Sequence, residues 1–156
     1  MRKKHWWILP ALAILVVLTL IALDERLILR TYTVASPKLT AEVRLAVVTD
    51  FHSSDNADDV VAMVASCAPD AVLMVGDMFD DDTANRPTER TLSVMRQLGA
   101  QYPCYYVSGN HEAWTGEMDA LYQQTEEAGV PVLRLSSGGL TVTGQRTARC
   151  GLPDPY

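Results

Sequence analysis

Residues 44–80 read RLAVVTDFHSSDNADDVVAMVASCAPDAVLMVGDMFD, and this stretch decides the fold class. It begins inside the run Val43-Arg44-Leu45-Ala46-Val47-Val48, short and mostly apolar as a strand buried in a parallel sheet is. Asp55 or Asn56 then offers a cap for a helix over about 57–67, with Val60, Val64 and Cys67 spaced onto one face. Pro69-Asp70 stops that helix, and Ala71-Val72-Leu73-Met74-Val75 is a second buried strand. Strand, helix and strand at this spacing predict a parallel pair joined by a right-handed crossover.

Toward the C-terminus the pattern repeats. The spacing of Leu92, Met95 and Leu98 predicts a helix over 88–98, stopped by Gly99. Cys104-Tyr105-Tyr106-Val107 is a third strand, and a third helix runs from Glu117 to Ala128, ended by Gly129 and Pro131. Short strands are expected at 132–135, 139–142 and 146–150, the last two as a hairpin. The expected class is therefore α/β, a parallel sheet giving way to antiparallel pairing late in the chain.

Toward the N-terminus the composition changes. The 156 residues are 48% hydrophobic with a formal net charge of −6, which excludes a disordered chain. From Trp6 to Leu23 only Pro10 and Thr19 interrupt the apolar run, and 18 residues of helix rise about 27 Å, near a bilayer's hydrocarbon thickness. Arg2, Lys3 and Lys4 precede the run and Asp24-Glu25-Arg26 follows it, which predicts a cytoplasmic N-terminus and an extracytoplasmic remainder. A cleaved signal peptide is the rival, but no A-x-A-like site follows Leu23. The expected organisation is an anchor at 1–25, a stalk and first strand at 26–42, and a domain at 43–156. Cys67, Cys104 and Cys150 form no C-x-x-C, so neither a zinc ribbon nor a redox motif is supported.

Ligands of open α/β sheets bind beyond the carboxyl ends of the strands. Here those ends carry Thr49-Asp50-Phe51-His52, then Gly76-Asp77-Met78-Phe79-Asp80, then Ser108-Gly109-Asn110-His111-Glu112. Adjacent strands lie about 4.8 Å apart, so Asp50, His52, Asp77, Asn110 and His111 converge. Carboxylate, imidazole and amide donors suit Zn, Mn or Fe. From Leu45 to Asn85 there are nine aspartates and no Lys or Arg. Such crowding is resolved by a divalent cation, and it argues against a nucleic-acid-binding surface. Taken singly, Gly-Asp and Gly-Asn after a strand are ordinary turn chemistry. Three in order, holding the two histidines beyond His5, point to a site.

Asp50-Phe51-His52, Gly76-Asp77-Met78-Phe79-Asp80 and Gly109-Asn110-His111-Glu112 resemble the D-x-H, G-D-x-x-D and G-N-H-[DE] motifs of the calcineurin-like metallophosphoesterases. With the anchor, the stalk and Ser53, the chain is similar to the membrane-anchored bacterial branch. The resemblance implies the N-terminal half of a four-layer αββα sandwich, preceded by one transmembrane helix. It implies two divalent metal ions: Asp50 and His52 on the first, Asp77 bridging, Asn110 on the second. His111 would protonate the leaving oxygen, with Asp80 orienting it. The implied partners are a phosphoester substrate, mono- or diester, and a lipid bilayer around Trp6–Leu23. The chemistry would be a two-metal clamp on the phosphoryl oxygens.

The family's later histidine motifs have no counterpart, since no His follows His111. Asp50, His52 and Asp77 leave the first metal three donors, and Asp77 and Asn110 leave the second only two. The expectation is an N-terminal fragment or truncated product of a hydrolase. A catalytically inactive metal-binding or partner-binding module is the alternative. A phosphohydrolase with an Asp nucleophile is disfavoured, because Asp50-Phe51-His52 lacks the second Asp of a D-x-D.

Overall fold

The three apolar runs become three parallel strands in the computed structural model of the protein. It describes residues 6–21 and 26–134 in full, and residues 22, 137–142 and 145–150 by their backbone alone. The chain divides into two units between Thr31 and Tyr32.

The first unit holds helix α1, Ile8–Ala22. Pro10 sits in its first turn, where a missing N–H goes unnoticed. Thr19 Oγ1 donates to Leu15 O at 2.9 Å, so the helix's one hydroxyl is satisfied internally. The helix is 15 residues long, shorter than the expected span of 6–23; Leu23 lies outside the described residues. Among the described residues, no helix is long and apolar enough to cross a membrane.

The second unit carries the sheet. Strands β1 (Leu45–Val48), β2 (Ala71–Val75) and β3 (Cys104–Val107) pair in the order β1-β2-β3, all parallel. Helices α2 (Ala57–Ser66) and α3 (Thr88–Gly99) make the crossovers. Two crossovers of one hand advancing in one direction lie on the same face, and α2 does pack on α3. Side-chain burial shows the same division. Val72, Met74, Cys104 and Tyr106 point under the helices and are buried with Val60, Val64, Val94, Met95 and Leu98. Leu45, Val47 and Val75, on the opposite face, remain exposed.

Helix α4 (Asn110–Trp114) starts directly after β3's loop, and α5 (Met118–Glu127) follows it. The sequence alone places no element where α4 lies. Five residues are too short for an apolar period to show. Val132 makes a single parallel bridge to Tyr106 rather than a strand, and Leu135 lies outside the described residues. The late hairpin forms as β4 (Ser137–Val142) antiparallel to β5 (Gln145–Cys150). Residues 26–44 contain no helix or strand, so the strand expected within 26–42 does not form. Asn56 occupies the N-cap of α2, but its side chain makes no capping bond.

Candidate metal centre

The three loops beyond the strand ends are joined by their backbones. Asp50 N–H donates to Gly76 O at 3.4 Å, His52 N–H to Asp77 O at 3.0 Å, and Ser53 N–H to Met78 O at 3.0 Å. Gly76 N–H donates to Val107 O at 2.9 Å, tying the second loop to the third strand. Beneath, the buried Ser53 hydroxyl meets Thr91 Oγ1 at 2.9 Å, and Thr91 donates to Met78 O at 2.8 Å. Arg86, just before α3, and Arg90, in its first turn, donate to His52 O and Ser53 O, each at 3.2 Å.

These loops are held in an uncommon conformation. Asp50, His52, Ser53 and Asp77 have φ of 56°, 49°, 46° and 52°. Positive φ in non-glycine residues costs on the order of 1–3 kcal/mol each and clusters where function demands it. At Gly109 glycine is required, because a Cβ there would lie 2.7 Å from Asp77 N and closer still to Asp77 Oδ1.

Glu112 holds the second loop in place. It is fully buried, and its Oε1 accepts from Met78 N–H (2.7 Å) and Phe79 N–H (2.9 Å). Its Oε2 accepts from Asp77 N–H (3.0 Å) and Gly109 N–H (2.8 Å). The last of these is half of a capping box, with Glu112 three residues beyond the Gly109 N-cap. Four backbone donors aimed at one carboxylate knit β2's loop to the start of α4. The sequence reading assigned Glu112 no role, although its spacing from Gly109 carried the signal. Tyr106 lies nearby; burial first, then the Glu112 charge, pushes its phenol pKa far upward.

On this frame three of the five expected donors, His52, Asp77 and His111, converge. Ligand atoms of His52, Asp77 and His111 all lie within 4.8 Å of one another. Asp50 Oδ1 is 4.0 Å from His52 Nε2, and Thr49 Oγ1 is 2.8 Å from Asp50 Oδ2. Asn110 is the first residue of α4, beside His111. The His111 N–H donates to Asp77 Oδ1 at 3.1 Å. The His52 and His111 rings meet edge to face, centroids 4.3 Å apart, and Trp114 covers His111 at 4.7 Å.

One expected partnership differs. The carboxylate bonded to His111 is Asp81, 2.8 Å from Nδ1, rather than Asp80. Asp80 Oδ1 accepts the Asp82 N–H at 2.8 Å, and its Oδ2 faces His52 Nδ1 at 3.4 Å and Arg86 Nε at 3.8 Å. The turn that begins at Asp80 rotates the next side chain toward α4. A run of three aspartates gives no hint in sequence of which one faces a histidine.

The donor chemistry fits a divalent cation. Oxygen and imidazole donors converge on one point, and Arg86 and Arg90 direct NH1 atoms at backbone carbonyls. Asp80, Asp81 and His111 form a second such group, partly exposed.

Comparison with known proteins agrees with this geometry. A family model described as calcineurin-like phosphoesterase matches residues 43–145. An uncharacterized metallophosphoesterase of Campylobacter jejuni is 27% identical over 97 residues, covering 59% of this chain and 25% of that protein. A transmembrane protein with metallophosphoesterase domain of Danio rerio is 26% identical over 108 residues, covering 64% of this chain and 24% of its own length. The chain thus spans about a quarter of these curated relatives. The crystal structure of a phosphopantetheinyl hydrolase from Mycobacterium tuberculosis superposes with a TM-score of 0.52 at 20% identity, covering 73% of this chain and 43% of that one. At that identity the likeness concerns the fold.

Proposed function

The chain belongs to the calcineurin-like phosphoesterase family, and we propose that it serves a metal-dependent, membrane-anchored phosphoester hydrolase activity. The observation that carries this reading is the convergence of His52, Asp77 and His111, from three strand ends, on one acidic point. Asp50, His52 and Asp77 would hold one divalent cation, and Asp77 with Asn110 a second. Bound there, the cations would supply Lewis-acid neutralisation of the phosphoryl oxygens. The protein's own contribution is position. Glu112 and the zipped loops hold Asp77 and His52 in place before substrate arrives. His111 stands beside them as the group that protonates the leaving oxygen.

The anchor belongs to the same proposal. Leu9, Leu12, Leu15, Leu18, Leu20 and Ile21 of α1 are all exposed, and a helix apolar all round needs an apolar solvent. The flanking charges favour a cytoplasmic N-terminus and an extracytoplasmic domain. Protease added to intact spheroplasts should digest the domain; its protection would refute this orientation.

Metal binding is tested by thermal unfolding with added Mn or Zn. A ligand bound only by the native state raises the melting temperature by mass action. Asp77→Asn should abolish the rise more completely than Asn110→Ala, while Asp55→Asn should keep it. An equal loss in Asp55→Asn would show the binding to be diffuse and sink the reading. In hydrolytically competent protein, replacing Asp50, His52 or Asp77 should remove nearly all phosphoester hydrolysis. His111→Ala should keep the metal and lower turnover on the order of 10²–10⁴-fold, less for good leaving groups.

A further inference from the structure

We infer that Thr91 is a positioning residue of the metal centre, setting the separation of the loops that carry His52 and Asp77. It lies on α3 just before Leu92, Val94, Met95 and Leu98, all buried in the core, so the helix offers a fixed support. From there its hydroxyl reaches both loops at once. Thr91 Oγ1 donates to Met78 O at 2.8 Å and lies 2.9 Å from Ser53 Oγ. Met78 directly follows Asp77, and Ser53 directly follows His52. One oxygen atom therefore fastens the residue next to each of two expected ligands.

Ser53, Met78 and Thr91 are each fully buried, so bulk water does not compete for either contact. The Ser53 N–H donates to the same Met78 carbonyl at 3.0 Å, which closes a ring of contacts among the two loops and the helix. His52, Ser53 and Asp77 all have positive φ, a conformation that persists only where the surroundings over-determine it. A buried hydroxyl can simply satisfy itself, as Thr125 does by donating to Leu121 O at 2.8 Å within its own helix. Thr91 differs because its partners lie 13 and 38 residues away in the chain. A methyl in place of Oγ1 deletes both bonds. Carbon and oxygen settle at about 3.3 Å or more, so the loops would part by roughly 0.5 Å. Ligand distances in metal sites hold to about 0.2 Å. The effect on metal rests on the hydrolase reading; the effect on loop spacing does not.

The experiment uses the full chain, metal-free in detergent, and reads amide hydrogen exchange at His52 and Ser53, whose N–H groups donate to Asp77 O and Met78 O. The Val72 amide, bonded to Pro103 O in the sheet, is the internal reference for global opening. Thr91→Val should speed the His52 and Ser53 amides about tenfold or more relative to Val72. Thr91→Ser should restore them, and Thr125→Val should leave the ratio unchanged. Ser53→Ala removes one bond without adding bulk and should speed the same two amides even where Thr91→Val does not fold. Calorimetric titration with zinc should show affinity lowered about 10–100-fold in Thr91→Val and close to wild type in Thr91→Ser and Thr125→Val. An unchanged exchange ratio in Thr91→Val or Ser53→Ala, or an equal change in Thr125→Val, would overturn the inference. If the wild type binds no zinc, the metal reading fails and the exchange ratios still decide the loop spacing.

Discussion

Replacing Glu112 by Gln changes one oxygen to an NH₂ group at constant size, in a side chain fully shielded from solvent. Each carboxylate oxygen accepts two backbone N–H groups at 2.7–3.0 Å. Whichever oxygen becomes nitrogen, two N–H donors lose their acceptor and face another donor. Hydrogen bonds to a charged group contribute about 1.5–3 kcal/mol each, so losing two removes roughly 3–6 kcal/mol. Domains of this size are stable by only about 5–15 kcal/mol. With about 4 °C lost per kcal/mol, the melting temperature should fall on the order of 10–20 °C. Urea unfolding followed by far-ultraviolet circular dichroism measures this directly. Tyr106→Phe is the paired control, since the buried Tyr106 hydroxyl has no hydrogen-bond partner and its removal should change little. A loss below about 1 kcal/mol in Glu112→Gln, the scale of an ordinary neutral hydrogen bond, would refute the idea that this carboxylate holds the loop.

Two more outcomes follow from backbone strain and burial. Asp50→Gly relieves a φ of 56° at an exposed side chain, so the metal-free protein should gain about 0.5–1 kcal/mol while Mn or Zn affinity falls; a less stable variant would show that the loop is unstrained. Burial pushes the Cys104 thiol from 9.0 up to about 11, so the folded state keeps a proton that the unfolded chain releases. Stability should therefore be intact below pH 9 and decline by on the order of 2–3 kcal/mol toward pH 11. Tyr106, also raised by burial, steepens the same decline above its ordinary value of 10.0. Cys104→Ala should flatten the part between pH 9 and 10, and an unchanged slope would refute the assignment.

The parallel strands, the crossover helices and the strand ends that carry the donors were legible in sequence because each is written locally. A buried strand is a short apolar run, as at Ala71–Val75, and a helix is an apolar period ended by Gly or Pro, as at Thr88–Gly99. Parallel pairing follows from their alternation, and it is why His52, Asp77 and His111 come together. The boundaries were less legible. Asn56 was an apt residue for a cap, yet its carboxamide oxygen is buried without a partner. The N-terminal run is apolar over 18 residues of sequence, while the helix formed covers 15.

By itself, the sequence determined the α/β class, the three motif-bearing strand ends and the acidity that calls for a cation. Only the tertiary structure decided how those ends are held and aimed. Glu112 gathers N–H groups from positions as distant as Asp77, 35 residues earlier in the chain. The left-handed backbone at Asp50, His52, Ser53 and Asp77 is imposed by bonds between loops, since none of these residues favours it as glycine would. Which of Asp80, Asp81 and Asp82 meets His111 depends on one turn's rotation. Composition and period report what each segment buries. They are silent on direction, because direction is set by contacts with segments far away in the chain.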